Sequence, residues 1–324
     1  MTRQIRIHET GGPDVLRYED TVLGAPGPGQ VRLRQTAIGL NFIDVYQRTG
    51  LYPLPLPSGI GLEAAGVVEA VGDGVGHLRP GDRVAYAGGP PGAYAEARIM
   101  PAAPLVKLPQ AIGDEQAAAI MLQGLTAYYL IHRTYRVSSG ETVLFHAAAG
   151  GVGLIACQWL RALGATVIGT VGSEEKAALA RAHGCAHTIL YREENIAERV
   201  RAITDGAGVP VVYDSVGKDT WDASLDCLRP LGLMVSYGNA SGAVPPFPLS
   251  QLAGKGSLFV TRPMLATYMA TREDLEAAAT ALFAVVAEGT VRVGARQSYR
   301  LADAAQAHRD LEARRTSGST ILIP

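Results

Sequence analysis

At 324 residues, 48% hydrophobic and 18% charged with a net charge of −1, the chain has enough apolar material to fold. Its charge balance gives no reason to expect nucleic acid or an anionic membrane as partner. The length suits two domains of about 100–200 residues each. No apolar run approaches the roughly 18–20 residues of a membrane span, and MTRQIRIHET has no apolar signal core.

Up to about residue 122, short apolar or alternating runs are broken by Gly and Pro. IRIHET, VLRYED, VRLRQTAIG, AAGVVEAVG, DRVAYAG and PLVKL predict strands, and GGPD, GAPGPG and VGDGVGHLRPGDR predict turns. Asp44 to Arg48 predicts one or two helical turns. A compact, mostly β domain fits this pattern.

From about 123 to 262 strands and helices alternate. TVLFHA, ATVIGTV, HTILY, VPVVYDSVG, GLMVSYG and SLFVTR predict strands. Gly151–Leu163, EEKAALARAHG, NIAERVRAIT and DTWDASLDCL predict helices, with Gly184 just past the end of the second. Short β-branched strands separated by helices imply a doubly wound parallel sheet, an α/β fold. The tail, about 263–324, predicts two helices, REDLEAAATALFAVVAEG and LADAAQAHRDLEARR, and a closing strand STILIP. The expected domains are 1–122 with 263–324, discontinuous, and 123–262.

FHAAAGGVGL, Phe145 to Leu154, places small residues between a predicted strand and a predicted helix. There a dinucleotide pyrophosphate sits against helix N–H groups, and small residues let the backbone approach. The pattern is Ala147-x-x-Gly150-x-x-Gly153. The following strand ends at Gly172, where an NAD-preferring site usually carries an acid. Ser173, Lys176, Tyr191 and Arg192 lie nearby as donors and cations for a 2′-phosphate, so NADPH is favoured over NADH; Glu174 and Glu175 argue the other way.

A catalytic zinc needs about three Cys, His or carboxylate ligands. The first 150 residues hold no cysteine, and His8, His77 and Glu63 show no ligand spacing, so no metal is expected. Cys157, Cys185 and Cys227 are an odd, scattered set, which fits a reduced, cytoplasmic protein. No GxSxG elbow occurs, and His146 beside the glycine loop reads as a structural donor. The chemistry is expected to come from the cofactor.

GETVLFHAAAGGVGLIACQWLRA, Gly140 to Ala162, resembles the quinone oxidoreductase signature. GLNFIDVYQRTGLYP, PSGIGLEAAGVV, LQGLTAYYL, VVYDSVGKDTW, GLMVSYGNASGAV and SLFVTRP extend the resemblance along essentially the whole chain. The family is the zinc-free, ζ-crystallin-like branch of the medium-chain dehydrogenases/reductases. Its zinc-dependent relatives have Gly-His-Glu where this chain has Gly61-Leu62-Glu63.

The resemblance implies a GroES-like, mostly-β catalytic domain, a Rossmann domain, a cleft between them, NADPH, a homodimer and a small-molecule quinone as substrate. It implies that Asn41, Tyr46, Tyr52 and Gln123 line the reacting end and that Thr126 contacts the nicotinamide. Ala149, Gly150, Gly151 and Val152 would hold the pyrophosphate. Gly172, Ser173, Lys176 and Tyr191 would surround the adenosine ribose and 2′-phosphate. Ser215, Tyr237, Gly238 and Asn239 would cap strand ends near the cofactor, and Val260, Thr261 and Arg262 would approach the nicotinamide. Close bacterial relatives often have Lys at Gln123, a departure that bears on acceptor choice. The rival readings are an NADPH-dependent enone or alkenal reductase and, from another class, an NADPH-binding non-catalytic or RNA-binding protein.

Overall fold

The computed structural model describes all 324 residues, Met1–Pro324. The chain divides into two compact units: Met1–Leu125 with Met269–Ala287 and Val293–Pro324, and Thr126–Tyr268 with Glu288–Arg292.

The first unit opens with strands β1 (Thr2–Ile7), β2 (Arg17–Thr21) and β3 (Gln30–Leu40) and helix α1 (Phe42–Thr49). Strands β4 (Ser58–Gly59), β5 (Glu63–Val71), β6 (Arg83–Ala87), β7 (Ala97–Pro101) and β8 (Val106–Lys107) and helix α2 (Asp114–Tyr129) follow. The second unit contributes β9 (Thr142–Phe145), α3 (Gly151–Ala162), β10 (Thr166–Val171), α4 (Glu174–Ala182), β11 (His187–Leu190) and α5 (Ile196–Ile203). It continues with β12 (Val209–Asp214), α6 (Trp221–Cys227), β13 (Leu228–Ser236), α7 (Ser250–Gly254), β14 (Phe259–Thr261) and α8 (Leu265–Tyr268). The chain ends with α9 (Arg272–Ala287), β15 (Ala295–Arg300), α10 (Ala304–Glu312) and β16 (Ser319–Ile323).

In the first unit a mixed sheet runs β15-β16-β3-β5-β6-β8, with β7 also paired to β3, beside a small sheet β2-β1-β4. Strand β3 is the hub: β5, β7 and β16 all pair with it antiparallel. Ile5, Ile7, Leu33, Ile38, Ile60, Val84, Tyr94 and Leu322 form the centre of its core. Burying each such side chain contributes about 1.5–3 kcal/mol.

Helix α2 is not among the elements the sequence predicts. Ala117–Met121 are all buried, so the segment lacks the polar stripe that would betray a helix. Gly124 further masks it, and its absent side chain has a reason. A Cβ there would lie 2.5 Å from Leu282 Cδ1 of α9, so the glycine sets how closely the two helices pack. Strands β7 and β15 are also unanticipated. ARIMP ends in proline, and ARQSYR is a polar strand paired only with β16.

The second unit is a six-stranded, all-parallel sheet in the order β11-β10-β9-β12-β13-β14. Its strands are short and apolar, and every residue of β12 is buried. Leu144, Ile168, Ile189, Val200, Val212, Trp221 and Met234 belong to one core cluster. Strand order reverses between β9 and β12. In open parallel sheets ligands bind at such a reversal, beyond the carboxyl ends of the strands.

Candidate active site

In the second unit the glycine loop leaves β9 and enters α3. Ala147 takes a left-handed backbone (φ 52°), and Gly150 N–H donates to Ala147 O at 2.8 Å. That turn aims the chain into α3, whose first N–H groups have no partner within the helix. A Cβ on Gly153 would lie 2.5 Å from Ala147 O and 2.6 Å from Ala148 O, so only glycine fits there. Ala149, Gly150, Gly151 and Val152 thus form one continuous backbone cradle.

Beyond β10, Gly172 faces Tyr191, whose hydroxyl would lie 2.7 Å from a Cβ built on Gly172. Ser173 caps α4, accepting the Lys176 N–H at 3.4 Å. Gly172, Ser173, Lys176 and Tyr191 are therefore gathered at the ends of the neighbouring strands β10 and β11. Glu174 turns along α4 to Arg181 at 2.5 Å, an exposed pair. Its carboxylate is engaged by a cation of its own helix.

Ser215, Tyr237, Gly238 and Asn239 lie at the ends of β12 and β13. Tyr237 N–H donates to Asp214 O at 2.8 Å, and a Cβ on Gly238 would lie 2.5 Å from Ser215 O. Arg262, at the end of β14, donates from one guanidinium nitrogen to Ser236 O (2.8 Å) and Gly238 O (3.1 Å). With its amide turned to satisfy both neighbours, Asn239 accepts from Arg262 at 3.2 Å. Val260 and Thr261 precede this clamp on β14, and Thr126 of α2 is buried and hydrogen-bonds Tyr129.

A buried network that sequence reasoning missed shapes these strand ends. Asp214 accepts from Val216 N–H (2.7 Å), Gly217 N–H (3.1 Å), Thr220 Oγ1 (2.6 Å) and Ser224 Oγ (3.0 Å). Because Ser224 spends its proton on Asp214, it accepts from His146 Nε2–H at 3.0 Å. His146 Nδ1 then accepts from Thr170 Oγ1 at 2.9 Å. Burial lowers the His146 pKa and keeps the ring neutral. His146 is thus a structural connector of β9, β10 and α6.

In the first unit Asn41 and Gln123 meet: Gln123 Nε2 donates to Asn41 Oδ1 at 3.2 Å. Asn41 Nδ2 donates to Glu63 at 2.6 Å, and Ser319 Oγ donates to Gln123 Oε1 at 2.6 Å. Asn41 also begins α1, where its backbone N–H donates to Asp44 at 2.9 Å. Tyr46 of α1 and Tyr52 touch edge to face, centroids 5.2 Å apart. Glu63, Asp44 and Ser319 escaped the sequence reading as parts of this cluster. Nothing in their spacing signals it, because β3, β5, α2 and β16 bring them together only in the fold.

Both carboxyls are fully buried. Desolvation is the largest influence on each, raising Asp44 to about 7 and Glu63 to about 8. His8, His77 and Glu63 do not come together, and no three His, Cys, Asp or Glu side chains are placed to hold a metal ion. All three cysteines are free and buried.

Comparison with known proteins gives both units relatives. Residues 27–110 match the alcohol dehydrogenase GroES-like domain, and residues 151–284 match the zinc-binding dehydrogenase model. Those matches define the class: a two-domain oxidoreductase of the alcohol dehydrogenase type, with a mostly-β domain and a Rossmann domain. A quinone oxidoreductase of Pseudomonas aeruginosa is 57% identical, covering 100% of both chains. The structure of Escherichia coli quinone oxidoreductase complexed with NADPH aligns with a TM-score of 0.98 at 52% identity, covering 99% of this chain and 100% of that one. A 2-haloacrylate reductase of a Burkholderia species is 49% identical over 98% of each chain. The chain belongs to the quinone oxidoreductase family within the medium-chain dehydrogenases/reductases.

Proposed function

We propose that this chain is an NADPH:quinone oxidoreductase that works without zinc. One observation carries the reading. In the second unit the residues expected to bind the cofactor gather at the carboxyl ends of the parallel strands, with Gly172 in place of an acid and Lys176 and Tyr191 beside it. Bound NADPH supplies the hydride or the electrons.

The chain's own residues do the rest. The N–H groups from Gly151 onward hold the pyrophosphate, and Lys176 with Ser173 and Tyr191 holds the 2′-phosphate. Arg262 fixes the backbone of Tyr237–Asn239 so that it presents a constant surface to the nicotinamide side. Thr126 contacts that ring. Asn41, Tyr46, Tyr52 and Gln123 receive the quinone, and hydroxyl or amide donors stabilise the oxygen as it gains negative charge. A quinone is a strong acceptor by itself, and Leu62 stands where zinc-dependent relatives carry a ligand, which together support a metal-free reaction.

In this reading, residues 1–122 with 263–324 form the catalytic domain and 123–262 the cofactor domain. The protein works as a cytoplasmic homodimer. The edge strand β14 has one unpaired side and carries exposed Phe259, with Met264 exposed just beyond it, which suits pairing with a second copy. Three free thiols suit a reducing compartment.

The test is NADPH oxidation, followed by loss of the reduced nicotinamide's absorbance, against ortho- and para-quinones and enones, with NADH as control. Rapid turnover with quinones and NADPH is expected. Turnover with enones alone would move the protein to the double-bond reductases. That second reading draws support from the 2-haloacrylate reductase, since a haloacrylate is an α,β-unsaturated acid. Tight NADPH binding with no acceptor would leave only a binding role.

A further inference from the structure

The acceptor end of the first unit holds a polar chain of four side chains, Glu63–Asn41–Gln123–Ser319, all buried. Two members are amides, which read as donor or acceptor according to which way they face. The chain can therefore run in either direction. In one, Ser319 donates to Gln123, Gln123 to Asn41, and Asn41 to an ionised Glu63. In the other, a protonated Glu63 donates to Asn41 oxygen, Asn41 to Gln123 oxygen, and Gln123 to Ser319.

The distances favour neither direction. Both ends are 2.6 Å, shorter than the usual N–H···O separation and suited to O–H···O, while the middle link is 3.2 Å, suited to N–H···O. Each direction puts an O–H on one short end and an N–H on the other. The only member that gains or loses a proton near neutral pH is Glu63.

The surroundings hold Glu63 in place. Its other oxygen accepts Leu122 N–H of α2 at 2.7 Å. A side chain on Gly39 of β3 would overlap both Glu63 Oε2 and Ala118 O. The titratable neighbours are Asp44 from α1, Tyr86 from β6 and Tyr94. The cations lie one residue further out: Arg98 on the Tyr86 hydroxyl at 3.2 Å, and Arg48 toward Tyr94. No cation touches the Glu63 carboxylate.

Resting on the functional reading above, we propose that Glu63 is a positioning residue whose proton sets the direction of this chain. It thereby sets the donor face that Asn41 presents to the acceptor. Neutral Glu63 is the competent form, because an ionised carboxylate one hydrogen bond behind Asn41 opposes negative charge growing on the acceptor oxygen. The desolvation that lifts Glu63 to about 8 keeps that form dominant at neutral pH.

The test pairs a spectroscopic titration of the cofactor-free protein with a pH profile. In protein carrying carbon-13 glutamate, the infrared band of a protonated buried carboxyl should be present near neutral pH and disappear as pH rises. It should be missing from E63Q. For a soluble quinone, wild-type kcat/KM should fall about tenfold between roughly pH 7 and pH 9, and E63Q by less than about twofold. Glutamine can still donate to Asn41 and accept from Leu122, so E63Q should match wild-type kcat/KM at the lower pH within about threefold. D44N, which removes a like charge, should move the wild-type limb to lower pH.

A limb that persists in E63Q overturns the proposal. So does the absence of a titrating glutamate band in wild type, a result that stands even if E63Q does not fold. Wild type inactive toward quinones but with the band intact sinks the functional reading and spares the switch itself.

Discussion

At its glycine loop the second unit offers main chain to the proposed cofactor, whereas the first unit gathers side chains around Asn41. At the glycine loop, the Gly172 corner and the Ser215–Gly238 crossing, what matters is where backbone passes and where a Cβ is absent. Around Asn41 the opposite holds: amides, carboxyls and tyrosines from four elements make the surface. The pyrophosphate is common to these dinucleotides and suits fixed N–H groups. Acceptors differ, and side chains are the adjustable part. On the proposed reading, the two units thus separate a constant recognition task from a variable one.

The contrast breaks if a backbone position in the second unit tolerates a side chain. Gly153→Val places atoms against Ala147 O and Ala148 O, and should weaken NADPH by more than about 100-fold, read by quenching of protein fluorescence, with the sheet still folded. A thermal melt separates that result from global unfolding. Next in size is Asp214→Ala, which strands two N–H groups and two hydroxyls in the interior. It should lower stability by about 2–4 kcal/mol in denaturant melts.

The buried carboxyls of the first unit give that unit a pH signature. Folding raises Asp44 to about 7 and Glu63 to about 8, above their ordinary values. The folded state therefore holds protons that the unfolded chain has already released. The associated stability is complete below the unfolded carboxyl range and is lost as pH rises through about 7 to 8. His308, pushed down to about 3 by burial, acts oppositely: its share is present above the ordinary histidine value and lost as pH falls toward about 3. Unfolding free energies from denaturant melts between about pH 6 and about pH 9 should fall in wild type and fall less in E63Q, a difference of a few kcal/mol at most.

A smaller effect tests the cofactor corner. Gly172→Asp crowds Tyr191 and sets a carboxylate where the 2′-phosphate is expected. NADPH should weaken by about tenfold to thirtyfold while NADH changes little, measured as the ratio of their KM values. Smallest of all, Tyr46→Phe and Tyr52→Phe should each lower quinone kcat/KM by about threefold to tenfold, with NADPH affinity unchanged.

The same contrast explains what could be read in advance. The alternation of TVLFHA, ATVIGTV, HTILY and VPVVYDSVG with helical segments announces a parallel sheet, and the sheet is there. The glycine loop is local: strand, turn and helix are consecutive, so ten residues suffice to describe it. The cluster around Asn41 is not local. Glu63 lies 22 residues from Asn41, and Ser319 lies 196 from Gln123. No periodicity links positions that meet only through sheet pairing. Helix α2 was hidden for a different reason, since burial on every side erases amphipathic pattern. A lone acid at a strand end, such as Asp214, has no sequence signature, because its four donors meet it only in the fold.

The Arg262 clamp carries a consequence beyond its hydrogen bonds. Arg262 sits at the end of β14, the outermost strand of its sheet, and grips the main chain of the next strand inward. Anything that docks along β14 shares a strand with the group that shapes Tyr237–Asn239. In the proposed homodimer, self-association through β14 is coupled to nucleotide affinity by way of Arg262, and linkage requires each to report the other. On that proposal, diluting the protein should loosen its hold on the nucleotide, and saturating it with nucleotide should tighten the proposed dimer.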